Sequence, residues 1–186
     1  MSHVIAALCR RLTHGVYVIG VAHGAVHNAF TAAWVMQCSF DPLLLALAVH
    51  RGHGSYRLLI EGGAFAVCVL REDQMALAAH FGQPQGADKL ASVAWTVRRT
   101  GAPVLVDALA YFDCSLYGHH PAGDHELVLG RVVDGAILSP DAAPLDYAST
   151  GDLDGSEHLF PICLGVDPPD ARVPGSSNLS TTSVQP

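Results

Sequence analysis

The chain has 186 residues, half of them apolar and 15% charged, which excludes a globally disordered polymer and suits one domain with a sizeable core. Its formal net charge is −7 and Lys and Arg total ten, with Arg10-Arg11 and Arg98-Arg99 the only tight pairs, so the clustered basic face that nucleic acid requires is missing. No apolar run approaches the ~20 residues that cross a bilayer, and no charged region, apolar stretch and cleavage site open the chain, so the expected compartment is the cytoplasm.

In chain order, Val4, Ile5, Leu8 and Leu12 recur at helical spacing, with Gly15 as a C-cap. The short apolar runs that follow read as strands: Val16 to Val21, Thr31 to Cys38 after a turn at His27-Asn28, Leu43 to Val49 after Pro42, and Ala64 to Leu70. A helix is expected from Ser55, a good N-cap, to Glu61, closed by Gly62-Gly63. Another is expected over Glu72 to His80, before Gly82. Residues Gln83 to Gly101 show no period and read as a surface excursion around Trp95. Ala110 to Tyr117 and Glu126 to Val133 form a hairpin with a wide loop over His119 to Asp124, and Ile137-Leu138 extend the sheet. From residue 166 onward, Pro168-Pro169, Pro174-Gly175 and a Ser/Thr-rich end carry almost no core residues, so residues 1–165 are read as the domain and 166–186 as a disordered or draped tail. Many short strands with a few short helices exclude a doubly wound parallel sheet and favour a Greek-key barrel.

The usual catalytic arrangements are missing. Gly52-His53-Gly54-Ser55 does not have the spacing of a nucleophile elbow, and neither a P-loop nor GxGxxG occurs. The five cysteines, Cys9, Cys38, Cys68, Cys114 and Cys163, are widely spaced and odd in number, which reads as buried free thiols. His119, His120 and His125 are the densest histidine group, but neighbours on a strand point to opposite faces, so no metal site is expected.

Two segments have chemical potential. His27 to Trp34 has small residues that let a flat ring lie against backbone, with Thr31 adding a hydroxyl; an ordinary strand with a half-buried Trp is the plainer reading. Arg51 to Tyr56 leads into a helix start, whose free N–H groups, with Ser55 and Arg51, suit a phosphate; a plain N-cap is the alternative.

These residues resemble the flavin-reductase-like family, whose fold is the FMN-binding split β-barrel, a mainly β architecture with short helices. Leu12 to Val18 is similar to the family's opening strand, and Asn28 to Trp34 to its N-x-x-T-A-S-W flavin-contact strand. Ser39 to Val49 is similar to the next turn and strand, Glu61 to Val67 to an E-S-G-x-F-x-V element, Asp88-Lys89 to a D-K pair, and Gly123-Asp124-His125 to a G-D-H hairpin motif. The match keeps the family's order over roughly residues 10 to 147. Ala33 stands where many members have Ser, His50 where Asn is common, Leu90 where Phe is usual, and residues 147–161 differ from the shorter ending of typical reductases.

The resemblance implies an NAD(P)H-dependent oxidoreductase that binds FMN, or FAD, without a covalent link. It implies that Asn28, Thr31, Ala32, Ala33 and Trp34 face the flavin ring, that Arg51, Ser55 and Lys89 face the ribityl phosphate, and that His125 lies where hydride arrives. A homodimer is implied, with a monooxygenase as the partner that uses reduced flavin. An electron carrier or flavin-storage protein with little turnover is the second reading, and a split barrel that holds another planar ligand the third.

Overall fold

The computed structural model describes residues 2–84 and 88–161, so the tail expected over 166–186 and Cys163 lie outside the described residues. After helix α1 (Ser2–Cys9), strands β1 (Tyr17–His23), β2 (Val26–Ala32), β3 (Val35–Phe40) and β4 (Leu43–His50) run in succession. Helix α2 (Tyr56–Gly62), strand β5 (Ala64–Val69) and helix α3 (Met75–Gly82) follow, then strands β6 (Trp95–Val97) and β7 (Pro103–Leu105). The long strands β8 (Ala110–Ala122) and β9 (His125–Ile137) complete the sheet, and two short 3-10 turns cover Tyr147–Thr150 and Ser156–Leu159.

Seven strands form one antiparallel sheet in the order β2-β1-β5-β8-β9-β4-β3, while β6 and β7 pair separately. The crossovers from β4 to β5 and from β5 to β8 give the barrel-like winding, and β2 and β3 remain unpaired with each other, so the barrel is split.

Side-chain alternation sorts two cores. Ile19, Val21, Phe65, Val67, Leu45, Leu47 and Val128 fill the inside of the curved sheet. Val18, Ala66, Cys68, Phe81, Leu90 and Val104 fill the layer between the sheet, α3 and the β6–β7 pair.

Four expectations are corrected. The turn expected at His27-Asn28 lies earlier: β1 pairs with β2 from Tyr17↔Ala32 to His23↔Val26, and Gly24 turns the chain with a left-handed φ of 60°. The strand expected over Thr31 to Cys38 is consequently two strands at opposite edges of the sheet, joined through Ala33 and Trp34. The wide loop expected over His119 to Asp124 is strand almost throughout: Ala122 pairs with His125, and Gly123 turns at a φ of 69°. The excursion over 83–101 also contains β6, missed because three residues carry too little period to read.

Candidate functional site

The β4–β9 ladder places His50 opposite His125, with rings perpendicular and centroids 5.5 Å apart. The Trp34 ring packs against His125, with centroids 4.9 Å apart. The crossover from β2 to β3 holds it there: the Trp34 carbonyl accepts the Ala48 N–H at 3.0 Å, and the Ala33 carbonyl accepts the Val35 N–H at 3.1 Å. Beside these rings is an apolar recess of about 220 Å³ walled by His14, Trp34 and Met36 and lined by Ala46, Ala48 and Leu127. Residues 46, 48 and 50 of β4 share one face of the strand, opposite the core-filling Leu45, Leu47 and Val49. The alanines keep the floor shallow, so a flat ring can lie against it while Trp34, 48% exposed, flanks it.

His125 donates Nδ1–H to Asp124 Oδ1 at 2.8 Å, since a carboxylate only accepts. That bond holds the Asp124 carboxyl below its usual range, and leaves the Nε2 lone pair of a neutral His125 directed away from Asp124.

A second group gathers on the segment between β4 and α2. The Asn28 amide donates to Ser55 Oγ at 3.1 Å, and Ser55, 1% exposed, makes no side-chain cap bond. The pair ties this segment to β2. His53 packs its ring 4.4 Å from Phe30, and its Nδ1 accepts the Ser55 N–H at 3.2 Å. Lost hydration, then the charges of Lys89 and His50, hold the His53 pKa below its ordinary value.

The remaining residues singled out by sequence already have partners. Thr31 donates its hydroxyl to the Ala78 carbonyl of α3 at 2.7 Å, so it locks the strand to that helix. Lys89 donates to the Phe81 and Gln83 carbonyls at 3.0 and 2.5 Å, which places a cation at the C-terminal end of α3. Arg51 donates Nε–H to Glu126 Oε2 at 2.7 Å, and the other Glu126 oxygen accepts His119 Nδ1–H at 2.8 Å. Ala32 ends β2 opposite Tyr17. The structure therefore joins Trp34 to His125, and Asn28 to Ser55, while His53 and His50 bridge the two groups. Sequence reasoning noted His50 only as a departure from the family and gave no role to His53 or Glu126; His53 sat inside the Arg51 to Tyr56 segment, and only the spacing of donors around Ser55 could have raised it.

Burial pushes the Cys68 and Cys114 thiols up to about 12, so neither is a nucleophile at neutral pH. Cys38 is exposed and Cys9 partly so, which corrects the reading of all the cysteines as buried. Among the described residues, no three His, Cys, Asp or Glu side chains converge as metal ligands, and no helix is long and apolar enough to cross a membrane.

Comparison with known proteins agrees with this architecture. The family described as "Flavin reductase like domain" matches residues 9–153. Diflavin flavoprotein A 1 of Synechocystis is 34% identical over 134 residues, covering 70% of this chain and 23% of that protein. The chain spans about a quarter of the length of the curated relatives it matches. The NADH:FAD oxidoreductase of Streptomyces globisporus C-1027 superposes with a TM-score of 0.70 at 27% identity, over 75% of this chain and 84% of that one. BorF, the flavin reductase component of a bacterial two-component tryptophan halogenase, superposes with a TM-score of 0.67 at 28% identity, over 78% of this chain and 98% of that one. By the matched span, the open split barrel and these neighbours, the chain belongs to the flavin reductase like domain family of oxidoreductases.

Proposed function

We propose that this domain passes hydride from NAD(P)H to non-covalently bound FMN, with FAD as the alternative flavin. The observation that carries the reading is the recess beside Trp34 and His125, floored by Ala46 and Ala48, on the sheet of a flavin reductase domain. The residues present fit such a group. A shallow apolar floor with an indole at its edge accepts a flat aromatic ring, and the Lys89 ammonium lies close enough to His53 to act on its charge, which suits an anionic end. Bound flavin would supply the redox chemistry, and the protein would bind it, orient it and leave one face open. Within that scheme His125, held by Asp124, orients the nicotinamide, and Asn28 and Ser55 set the position of the segment before α2.

The test is a visible spectrum of purified protein supplied with FMN, followed by anaerobic titration with NADH and NADPH. Bands near those of free flavin, quenched fluorescence and bleaching by a nicotinamide are expected. No shift and no binding at high micromolar FMN would overturn the reading.

By the same reading the domain is a cytoplasmic homodimer that supplies reduced flavin to a monooxygenase or a similar flavin-using partner. The role of BorF in a two-component halogenase supports the partner class. Phe40 and Met36 on the edge strand β3, 89% and 61% exposed, support a second copy as their cover. A monomer in sedimentation at micromolar concentration would remove the dimer. The electron-carrier reading keeps one specific support: the match to about a quarter of proteins named diflavin flavoproteins, in which this domain is one part of a longer chain. Bleaching by NADH without multiple turnovers on added FMN would favour it.

A further inference from the structure

We propose that His14 is a binding residue for the flavin ring: it donates an N–H to the C2 carbonyl oxygen on the pyrimidine edge and so favours the reduced form. The inference rests on the flavin reading above and deepens it by naming the side chain that sets the ring's orientation and potential.

The recess is apolar almost throughout. Of the side chains that line it, Val35, Met36, Ala46, Ala48 and Leu127 have no N–H or O–H, and only the His14 imidazole and the Trp34 indole carry one. Trp34 is packed against His125, with centroids 4.9 Å apart. His14 is half-buried, and neither of its ring nitrogens has a hydrogen-bond partner among the described residues. A polar group partly withdrawn from water into an apolar wall costs free energy until a ligand bonds it.

The fold holds the imidazole in that wall. Gly15 bridges to Asp146, the Val16 N–H donates to the Leu145 carbonyl at 3.0 Å, and the His14 carbonyl accepts the Tyr147 N–H at 2.8 Å. The Tyr147 ring meets the imidazole in a T-shaped contact, with centroids 6.3 Å apart and planes at 78°. Tyr147 is itself fixed, its hydroxyl donating to Asp154 Oδ2 at 2.8 Å. It is a positioning residue that steadies His14 without lining the recess itself.

The chemistry of the ring gives the effect its sign. A flavin has one apolar edge, the dimethylbenzene end, and one polar edge, where two carbonyls flank an N–H. A single donor in an apolar wall discriminates between them, because a carbonyl placed there gains a hydrogen bond and a methyl group leaves the donor unpaired. Two-electron reduction places negative charge along N1 and the C2 carbonyl, and a hydrogen bond to a charged acceptor is the stronger one. His14 thus holds reduced flavin more tightly than oxidised flavin and raises the midpoint potential.

The experiment measures dissociation constants of FMN and riboflavin by fluorescence quenching, and the midpoint potential of bound FMN by anaerobic titration against a reference dye. It compares wild type, His14→Leu and His14→Gln, with melting temperature as the folding check. His14→Leu is expected to weaken both ligands by the same factor, about three- to tenfold, the range of one neutral hydrogen bond. It is expected to weaken reduced FMN about tenfold more than oxidised FMN, a fall of about 30 mV for a two-electron couple. His14→Gln keeps an N–H donor and restores most of both. A loss confined to FMN, a loss of affinity with the potential unchanged, no change in either, or a His14→Gln that behaves like His14→Leu overturns the proposal. Wild type that binds neither ligand overturns the flavin reading itself and the proposal with it. If His14→Leu fails to fold, His14→Phe, which keeps a flat ring beside Tyr147 and has no N–H, is read by the same criteria.

Discussion

Arg51 Nε lies 2.7 Å from Glu126 Oε2, on the face of β9 opposite the one that carries His125 toward Trp34. Adjacent residues of one strand thus serve two tasks: His125 belongs to the ring recess, and Glu126, 5% exposed, anchors the end of β4 to the β8–β9 hairpin through Arg51 and His119.

That anchor has a defined pH dependence. The hydrogen bond from His119 and then that from Arg51 hold the Glu126 carboxyl below its usual range. A carboxyl with a lowered folded pKa stabilises the fold above its unfolded value of about 4.3, and the contribution is lost as pH falls through the folded pKa. Glu126→Gln is therefore expected to be less stable than wild type at pH 7 in urea unfolding, with the difference shrinking as pH drops below about 4. A difference that stays constant down to pH 2.5 would show that the carboxylate charge plays no part.

Gly20 in the middle of β1 has no room for a side chain. An added Cβ would lie 1.9 Å from the backbone oxygen of Pro103, and backbone in a paired strand cannot swing away. Gly20→Ala should cost about 2–3 kcal/mol, as overpacked cores do, by pushing β7 off the sheet. Chemical denaturation of the variant within 0.5 kcal/mol of wild type would contradict the close approach (differences at exposed sites are about that size).

Lys89 is expected to have two effects. Its ammonium serves the Phe81 and Gln83 carbonyls, so Lys89→Ala should lower stability by about 1–3 kcal/mol, the range for bonds to a charged group. Its remaining N–H is free to meet an anion, so FMN should weaken more than riboflavin. An unchanged melting temperature refutes the helix-end role, and equal loss of both ligands refutes the phosphate role.

Much of this architecture is legible in the chain itself. Leu43 to Val49 and Ala64 to Leu70 announce buried strands because both faces are apolar, and the order of short motifs from Leu12 to His125 points to the split barrel. What the sequence hides is set by pairing. Thr31 to Cys38 reads as one strand after a turn at His27-Asn28, because nothing local says that Ala33 and Trp34 carry the chain from one sheet edge to the other. Nor does any local pattern show that Thr31 turns its hydroxyl to a helix more than forty residues later, or that Glu126 holds Arg51. Those partners meet only through β4–β9 register and the packing of α3 on β2, which are long-range facts.

His125 gives the sharpest test of the site. It follows the Gly123-Asp124 turn, its Nδ1–H is fixed by Asp124, and its ring centroid lies 5.5 Å from that of His50 and 4.9 Å from that of Trp34. A ring with three such contacts is a good positioning element for a second planar ligand beside the flavin. Hydride moves directly between the two rings, so His125 need not carry a proton; its contribution is alignment, and a misplacement of about 1 Å can cost roughly a hundredfold in rate. The competing role is structural, in which His125 merely steadies the hairpin turn through Asp124. His125→Ala separates them. If the residue orients the nicotinamide, flavin reduction in anaerobic stopped-flow slows by about ten- to a hundredfold while FMN affinity and melting temperature stay near wild type. If it is scaffold, the melting temperature drops and the folded fraction reduces flavin at the wild-type rate. Asp124→Asn provides the second arm: the side chain still accepts from Nδ1 but loses its charge, so an orienting His125 keeps most of its rate. A scaffold role carried by the charged pair would instead lower stability in this variant too.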